Sequence, residues 1–192
     1  MYDIVTTGSN LQNIFVLGGF FVASKTRETI LYTYLSLLEK KEFDKITVTD
    51  LVEGCSISRQ TFYYHFDDID DMIKWAFNDE IEKALKASKD SPDWIEAIYN
   101  LIPMLEKYNI ILTSVQKSHS LIGIQRHLTH CIYRFICEYY ARNHNMKEAN
   151  EKQLFAVKYT AAAIAGLIFM EMFYDEEFTY ARVFDKVRNT FG

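Results

Sequence analysis

The sequence predicts an all-α fold: an N-terminal three-helix unit containing a helix-turn-helix, followed by a larger helical domain. Three observations predict it. The 192 residues hold only seven glycines and two prolines, scattered along the chain, which disfavours a turn-rich β fold. Apolar residues make up 49% of the chain, enough for a sizeable core. They also recur at three- and four-residue spacing, the period that lines one face of a helix.

The elements follow in order. Ser24 caps a first helix running to about Lys41, with Ile30, Leu31, Tyr34, Leu35 and Leu38 as its inner stripe. Thr47-Val48-Thr49-Asp50 has the form of a helix start, with Thr47 as cap and Asp50 three residues on. Gly54-Cys55-Ser56 is expected to break that helix, and Ser58 to cap the next. Asp67 or Asp68 then caps a long helix whose inward residues are Ile69, Met72, Ile73, Ala76, Phe77 and Leu85. The acids Asp67, Asp68, Asp70 and Asp71 suit the positive end of that helix. A polar break from Lys86 to Asp93 contains Pro92, expected in the first turn of the helix that follows. Five further helices are expected at 92–107, 109–117, 119–143, 147–174 and 176–190, with Pro103 kinking or ending the first. The division is expected to fall inside the long helix, giving domains of 24–77 and 78–192.

Ser58-Arg59-Gln60-Thr61-Phe62-Tyr63-Tyr64-His65-Phe66 is the most informative stretch. Phe62 and Phe66, four apart, share one helix face as anchors and leave Arg59, Gln60, Tyr63 and Tyr64 turned largely away. Arginine grips guanine edges, glutamine grips adenine, and hydroxyls grip phosphates, so such a face suits a DNA groove. Two short helices joined by a tight turn make a helix-turn-helix, whose second helix enters the major groove. A helical hairpin with a tyrosine-rich surface is the alternative reading of these residues.

Residues 25–77 resemble the DNA-binding domain of the TetR family of bacterial transcription regulators. Ile46-Thr47-Val48, Leu51-Val52, Ser58 and Thr61-Phe62-Tyr63-Tyr64-His65-Phe66 carry the resemblance. The helical half beyond them resembles the variant of the ligand domain found in Gram-positive members. The resemblance implies a homodimeric, sequence-specific regulator of double-stranded DNA, expected as a repressor under an effector; an activator, or control by a protein partner, is the alternative. Arg59, Gln60 and Thr61 would approach bases; Thr47, Tyr63, Tyr64 and His65 would hold phosphates; Lys25, Thr49 and Ser58 complete the expected DNA-binding set. Tyr99, Met104, Tyr108, His130, Tyr133 and Tyr159 are the expected lining of an effector pocket, although aromatic stripes are more often core. Ala162, Gly166, Phe169, Phe173, Phe184 and Val187, on the last two helices, are expected to form the dimer interface as a four-helix bundle. Two positions depart from the family: Ile69 stands where a phosphate-contacting lysine is frequent, and Ser56 where the turn usually has glycine. Ser56 is therefore expected in a left-handed conformation, and Lys25, Arg27, Lys45 and Arg59 are expected to supply the positive charge.

The net charge of −5 does not advertise nucleic acid. Between Lys25 and Phe66 six basic residues face six acids, so a DNA surface here must place its charge locally. No phosphate loop, nucleophile motif or dinucleotide fingerprint occurs, which argues against an enzyme. His127 and Cys131 stand at metal-ligand spacing, but no second ligand pair accompanies them, so neither metal nor cofactor is expected. Three cysteines without a disulfide pattern favour a reducing cytoplasm. No run is expected to reach a membrane span. Residues 1–23 form a short apolar extension that lacks the basic start of a signal peptide. One expectation is that Val22 marks the true start; the rival is an arm that packs on the body or on DNA.

Overall fold

The computed structural model describes residues 25–143 and 150–191, and these are helical, with no strand among them. The expected extension 1–23, the Ser24 cap, residues 147–149 and the Phe191 side chain lie outside what it describes. Helix α1 covers 25–38 and buries Ile30, Leu31, Tyr34 and Leu38. It ends three residues short of Lys41, where the Lys40 and Lys41 amides both donate to the Leu37 carbonyl, at 2.9 and 2.8 Å. A single 3-10 turn, Phe43–Lys45, then drives Phe43 edge-on against Tyr34.

Helix α2, Val48–Cys55, opens on a full capping box: the Asp50 amide donates to the Thr47 hydroxyl, and the Thr47 amide donates to the Asp50 carboxylate. Gly54 does not break this helix. A β-carbon there would sit 2.7 Å from Cγ2 of Thr33, so glycine lets α2 lie against α1. The break falls at Ser56, with φ 54° and ψ 41°, the left-handed cap expected of it. Helix α3, Arg59–His65, is capped by Ser58, and α4, Ile69–Ala87, by Asp68.

The body is more broken than the sequence suggests. The expected 92–107 helix is α5, Trp94–Ile98, a 3-10 turn at Tyr99–Leu101, and α6, Ile102–Lys107. Pro103 sits in the first turn of α6, where it lacks only a donor that has no partner anyway. Pro92 is not in a first turn, because Asp93 is the cap of α5. Helix α7, Asn109–Ser114, runs into a 3-10 turn at Val115–Lys117. Three long helices finish the chain: α8, Leu121–Asn143; α9, Glu151–Tyr174; and α10, Tyr180–Phe191.

Helix α4 ties the two ends of the molecule together. Met72, Ile73, Ala76, Phe77, Ile81, Ala84 and Leu85 are buried along its length in one continuous core. From α8, Arg134 donates to Asn78 and Glu82 of α4, both at 2.8 Å, and His127 stacks on Phe77. A second tie joins the helix-turn-helix to the body: the Asp44 carboxylate accepts from the Ser118 hydroxyl at 2.7 Å and the His119 amide at 3.2 Å.

Helices α8 and α9 form the most extensive pairing. One sequence expectation needs correction here. A window of α9 is long and apolar enough to cross a membrane by length and composition, with mean hydropathy 1.5, yet only 28% of it is buried. The reason is that α9 is apolar on two faces, one packed on the core and one exposed.

Candidate nucleic-acid interface

Helix α3 presents its aromatic anchors inward and its hydrogen-bonding groups outward. Phe62 and Phe66 are buried, with ring centroids 6.0 Å apart, and Phe66 also meets Trp75 of α4. Arg59, Gln60, Tyr63 and Tyr64 are exposed, Tyr63 at 56% and Tyr64 at 80%. Each tyrosine ring meets a neighbour edge-on, Tyr63 against Phe62 at 5.4 Å and Tyr64 against His65 at 5.0 Å, which leaves most of Tyr64 open to solvent.

The other expected DNA residues are busier. Thr47 spends its hydroxyl on the capping box. Ser58 accepts from the Thr61 amide at 3.0 Å and shares a hydrogen bond with the Thr61 hydroxyl, and Thr61 is half-buried. Thr49 accepts from the Arg59 guanidinium at 2.6 Å, so α2 sets the direction of the Arg59 side chain. His65 is half-buried, and its imidazole is held below its usual range first by burial and then by Arg27. Lys25 is exposed at the start of the described chain.

Arg27 is not a free cation for DNA. Its guanidinium lies 5.6 Å from the Phe66 ring and 5.7 Å from the Trp75 ring, and it donates to the His65 carbonyl at 3.5 Å. It pins the end of α3 to α1 and α4. Lys41 is likewise held, in an ion pair with Asp50 at 2.6 Å; that hydrogen bond, with those from Thr47, holds the Asp50 carboxyl down to about 2. Local sequence spacing gives no sign of the Arg27 sandwich, whose partners come from two other helices, α3 and α4.

Acids crowd the start of α4, but some turn inward on backbone. Asp68 accepts from the Asp71 amide at 2.7 Å, and Asp71 accepts from the Asp67 amide at 3.2 Å. Ile69 is half-buried against the core, consistent with an apolar residue in place of a lysine.

Residues 30–75 match the family model of bacterial regulatory proteins, tetR family. That segment, which holds α2 and α3, is of the tetR-family type. One curated relative is the HTH-type dhaKLM operon transcriptional activator DhaS of Lactococcus lactis subsp. lactis (strain IL1403). It is 22% identical over 103 residues, 52% of this chain and 55% of that protein, so the chain spans about half the length of this curated relative. Among solved structures, the dihydroxyacetone kinase operon activator DhaS superposes with a TM-score of 0.64 at 16% identity, covering 86% of this chain and 93% of that one. A putative TetR-family transcriptional regulator from Syntrophomonas wolfei str. Goettingen gives 0.61 at 16%, covering 87% and 93%. These likenesses show that the fold is shared with both structures beyond the matched segment, into the helical body.

Two expected TetR-type sites are not assembled as the sequence suggested. The six effector residues do not surround one cavity. Met104 and Tyr108 are fully packed into the core, Tyr108 against Phe77. Tyr99 donates to Asp185 at 2.6 Å, under Arg188 at 4.5 Å from its ring. Tyr159 is 64% exposed on α9; Tyr133 is half-buried, and His130 lines an open cleft between α4 and α8. Helical spacing signals an apolar face, which here is core for some and surface for others. Of the expected dimer residues, Phe169, Phe184 and Val187 are buried in the chain's own core, because α10 turns its apolar face inward with Tyr180 and Val183. Phe173 is half-buried, Ala162 exposed and Gly166 partly open.

His127 and Cys131 approach to 3.6 Å, and burial pushes the Cys131 thiol up to about 12, where it stays protonated. Among the described residues no three His, Cys, Asp or Glu side chains gather as a metal site would require.

Proposed function

We propose that this chain is a sequence-specific DNA-binding transcription regulator that works as a homodimer in the cytoplasm, with the division between reading head and body near Phe77. The outward face of α3 carries this reading: Arg59, Gln60, Tyr63 and Tyr64 stand exposed on a helix locked from behind by Phe62, Phe66 and the Arg27 sandwich. Arg59 and Gln60 read base edges, and the two tyrosines with Lys25 hold phosphates; Thr49 and Thr61 orient the readers, and Thr47, Ser58 and His65 hold the backbone that presents them.

The dimer is carried by α9. Phe155, Tyr159, Ala162, Ala163, Met170 and Tyr174 are exposed, and they recur at helical spacing with the partly open Gly166 over about 28 Å. A β-carbon at Gly166 would meet nothing within 4 Å in the protomer, so packing inside the chain does not demand the glycine. Close approach of a second α9 does. The interface therefore belongs to the outer face of α9, and α10 supports it from behind.

Fluorescence anisotropy on DNA flanking the chain's own coding region tests the reading. Binding should survive excess unrelated competitor and weaken steeply with salt, as phosphate contacts require. Binding erased by competitor would contradict it. The relatives named DhaS are called operon activators, which favours activation as the second reading over repression. A reporter assay with and without the regulator decides between the two.

A further inference from the structure

An open cleft of about 450 Å³ lies between the first half of α4 and the start of α8. Asp70 and Lys74 line it from α4, His119 from the preceding turn, and Arg126, His127 and His130 from α8. Asp70 is the only carboxylate on this lining among the described residues. Lys74 and Arg126 are both exposed, and neither is in an ion pair among the described residues. Burial, then the positive charge of His130, Lys74 and Arg134, holds the His127 imidazole down to about 4. Cations that outnumber the single carboxylate of a concave site raise the local potential, and a bound anion relieves it. The cleft also has room: Gly123 lines it, and a β-carbon there would meet nothing within 4 Å.

We propose that this cleft binds a small molecule through an oxyanion group, a carboxylate or a phosphate, gripped by Lys74, Arg126 and His130. His127 sits behind them, stacked on Phe77 of α4 at 5.5 Å, and senses the charge. Asp70 opposes the anion and sets a limit on how close it approaches α4. As an effector site this rests on the regulator reading; as an anion site it does not. The route to the reading head is short. His119, on the lining, donates its backbone amide to Asp44, which lies just ahead of α2.

The test uses the full chain, titrated with inorganic phosphate and separately with succinate, against sodium chloride at matched ionic strength. Calorimetry reads affinity, and NMR of the histidine rings reads the site. At least one anion should bind saturably, and the His127 pKa should rise from its depressed value, since the anion offsets the surrounding cations. Which anion binds tells phosphate from carboxylate. Lys74→Gln and Arg126→Gln should each weaken binding by about tenfold or more, the loss of a charge-assisted contact. Gly123→Leu, which favours the helix and fills the cleft, should abolish it. No saturable binding of either anion, or unchanged affinity in all three variants, overturns the proposal. DNA binding by the same variants, without added anion, should match the wild type. A wild type that binds no DNA removes the regulator reading, while the phosphate and succinate titrations still decide the cleft.

Discussion

Arg59 and Tyr64 are both exposed on α3 and should fail in different ways. Arg59→Ala should relax preference at one base position, costing on the order of 1–3 kcal/mol there. Tyr64→Phe should weaken all sites nearly equally, because a phosphate contact carries no sequence information. Affinities for a panel of singly mutated sites separate the two; an unchanged ranking with Arg59→Ala removes its role as a base reader. Ser56 makes a second prediction. Its left-handed backbone costs an L-residue about 1–2 kcal/mol, part of which glycine's greater unfolded freedom cancels. Ser56→Gly should therefore stabilise the fold by about 0.5–1 kcal/mol in urea denaturation. His127 makes a third. Its folded pKa, about 4, lies below the ordinary 6.5, so the unfolded chain takes up the proton first as pH falls. Stability should be full above about 6.5 and decline toward 4, and His127→Leu should flatten that part of the curve. An equally steep decline in the variant would assign the effect elsewhere.

At the scale of elements, the Thr47 capping box, the Ser58 cap and the α3 stripe were legible because their partners lie three or four residues apart. Thr47 with Asp50, Ser58 with Thr61 and Phe62 with Phe66 all obey that rule. The long α4 was legible for the same reason, whereas the left-handed Ser56 was legible through the glycine that the resembled family usually has in that turn. Gly54 was not: its use is a close approach to Thr33, twenty-one residues away in sequence, which no local pattern encodes. The direction of α10 was hidden too, since an apolar stripe does not say whether it meets its own chain or another. Gly54→Ala tests the packing account. Thr33 is held in place by Cys55, whose thiol donates to its hydroxyl at 3.1 Å, so it has little freedom to yield. The variant should lose roughly 1–3 kcal/mol, an overpacking cost, although alanine is the better helix former. A gain in thermal stability would show that α1 and α2 separate freely.

For the whole molecule, one continuous core joins reading head to body through α4, and the Asp44 tie to residues 118 and 119 closes a second path. Two sets of contacts thus connect the α8 side of the body with the segment that carries α2. The outer face of α9 leaves Phe155, Tyr159, Met170 and Tyr174 exposed to water. Gly166→Arg places a charge in its middle, at a position where a β-carbon meets nothing within 4 Å in the protomer. Sedimentation should show dimers for the wild type and monomers of unchanged helical content for the variant. A dimer that survives the charge would move the interface off α9. Selection of bound sites from a random DNA pool tests the central claim most directly. The account predicts one enriched motif with two inverted half-sites, their centres about 34–36 Å or a multiple apart. It also predicts that Arg59→Ala, selected in parallel, loses preference at one base in each half. A pool that stays random through repeated rounds would contradict it.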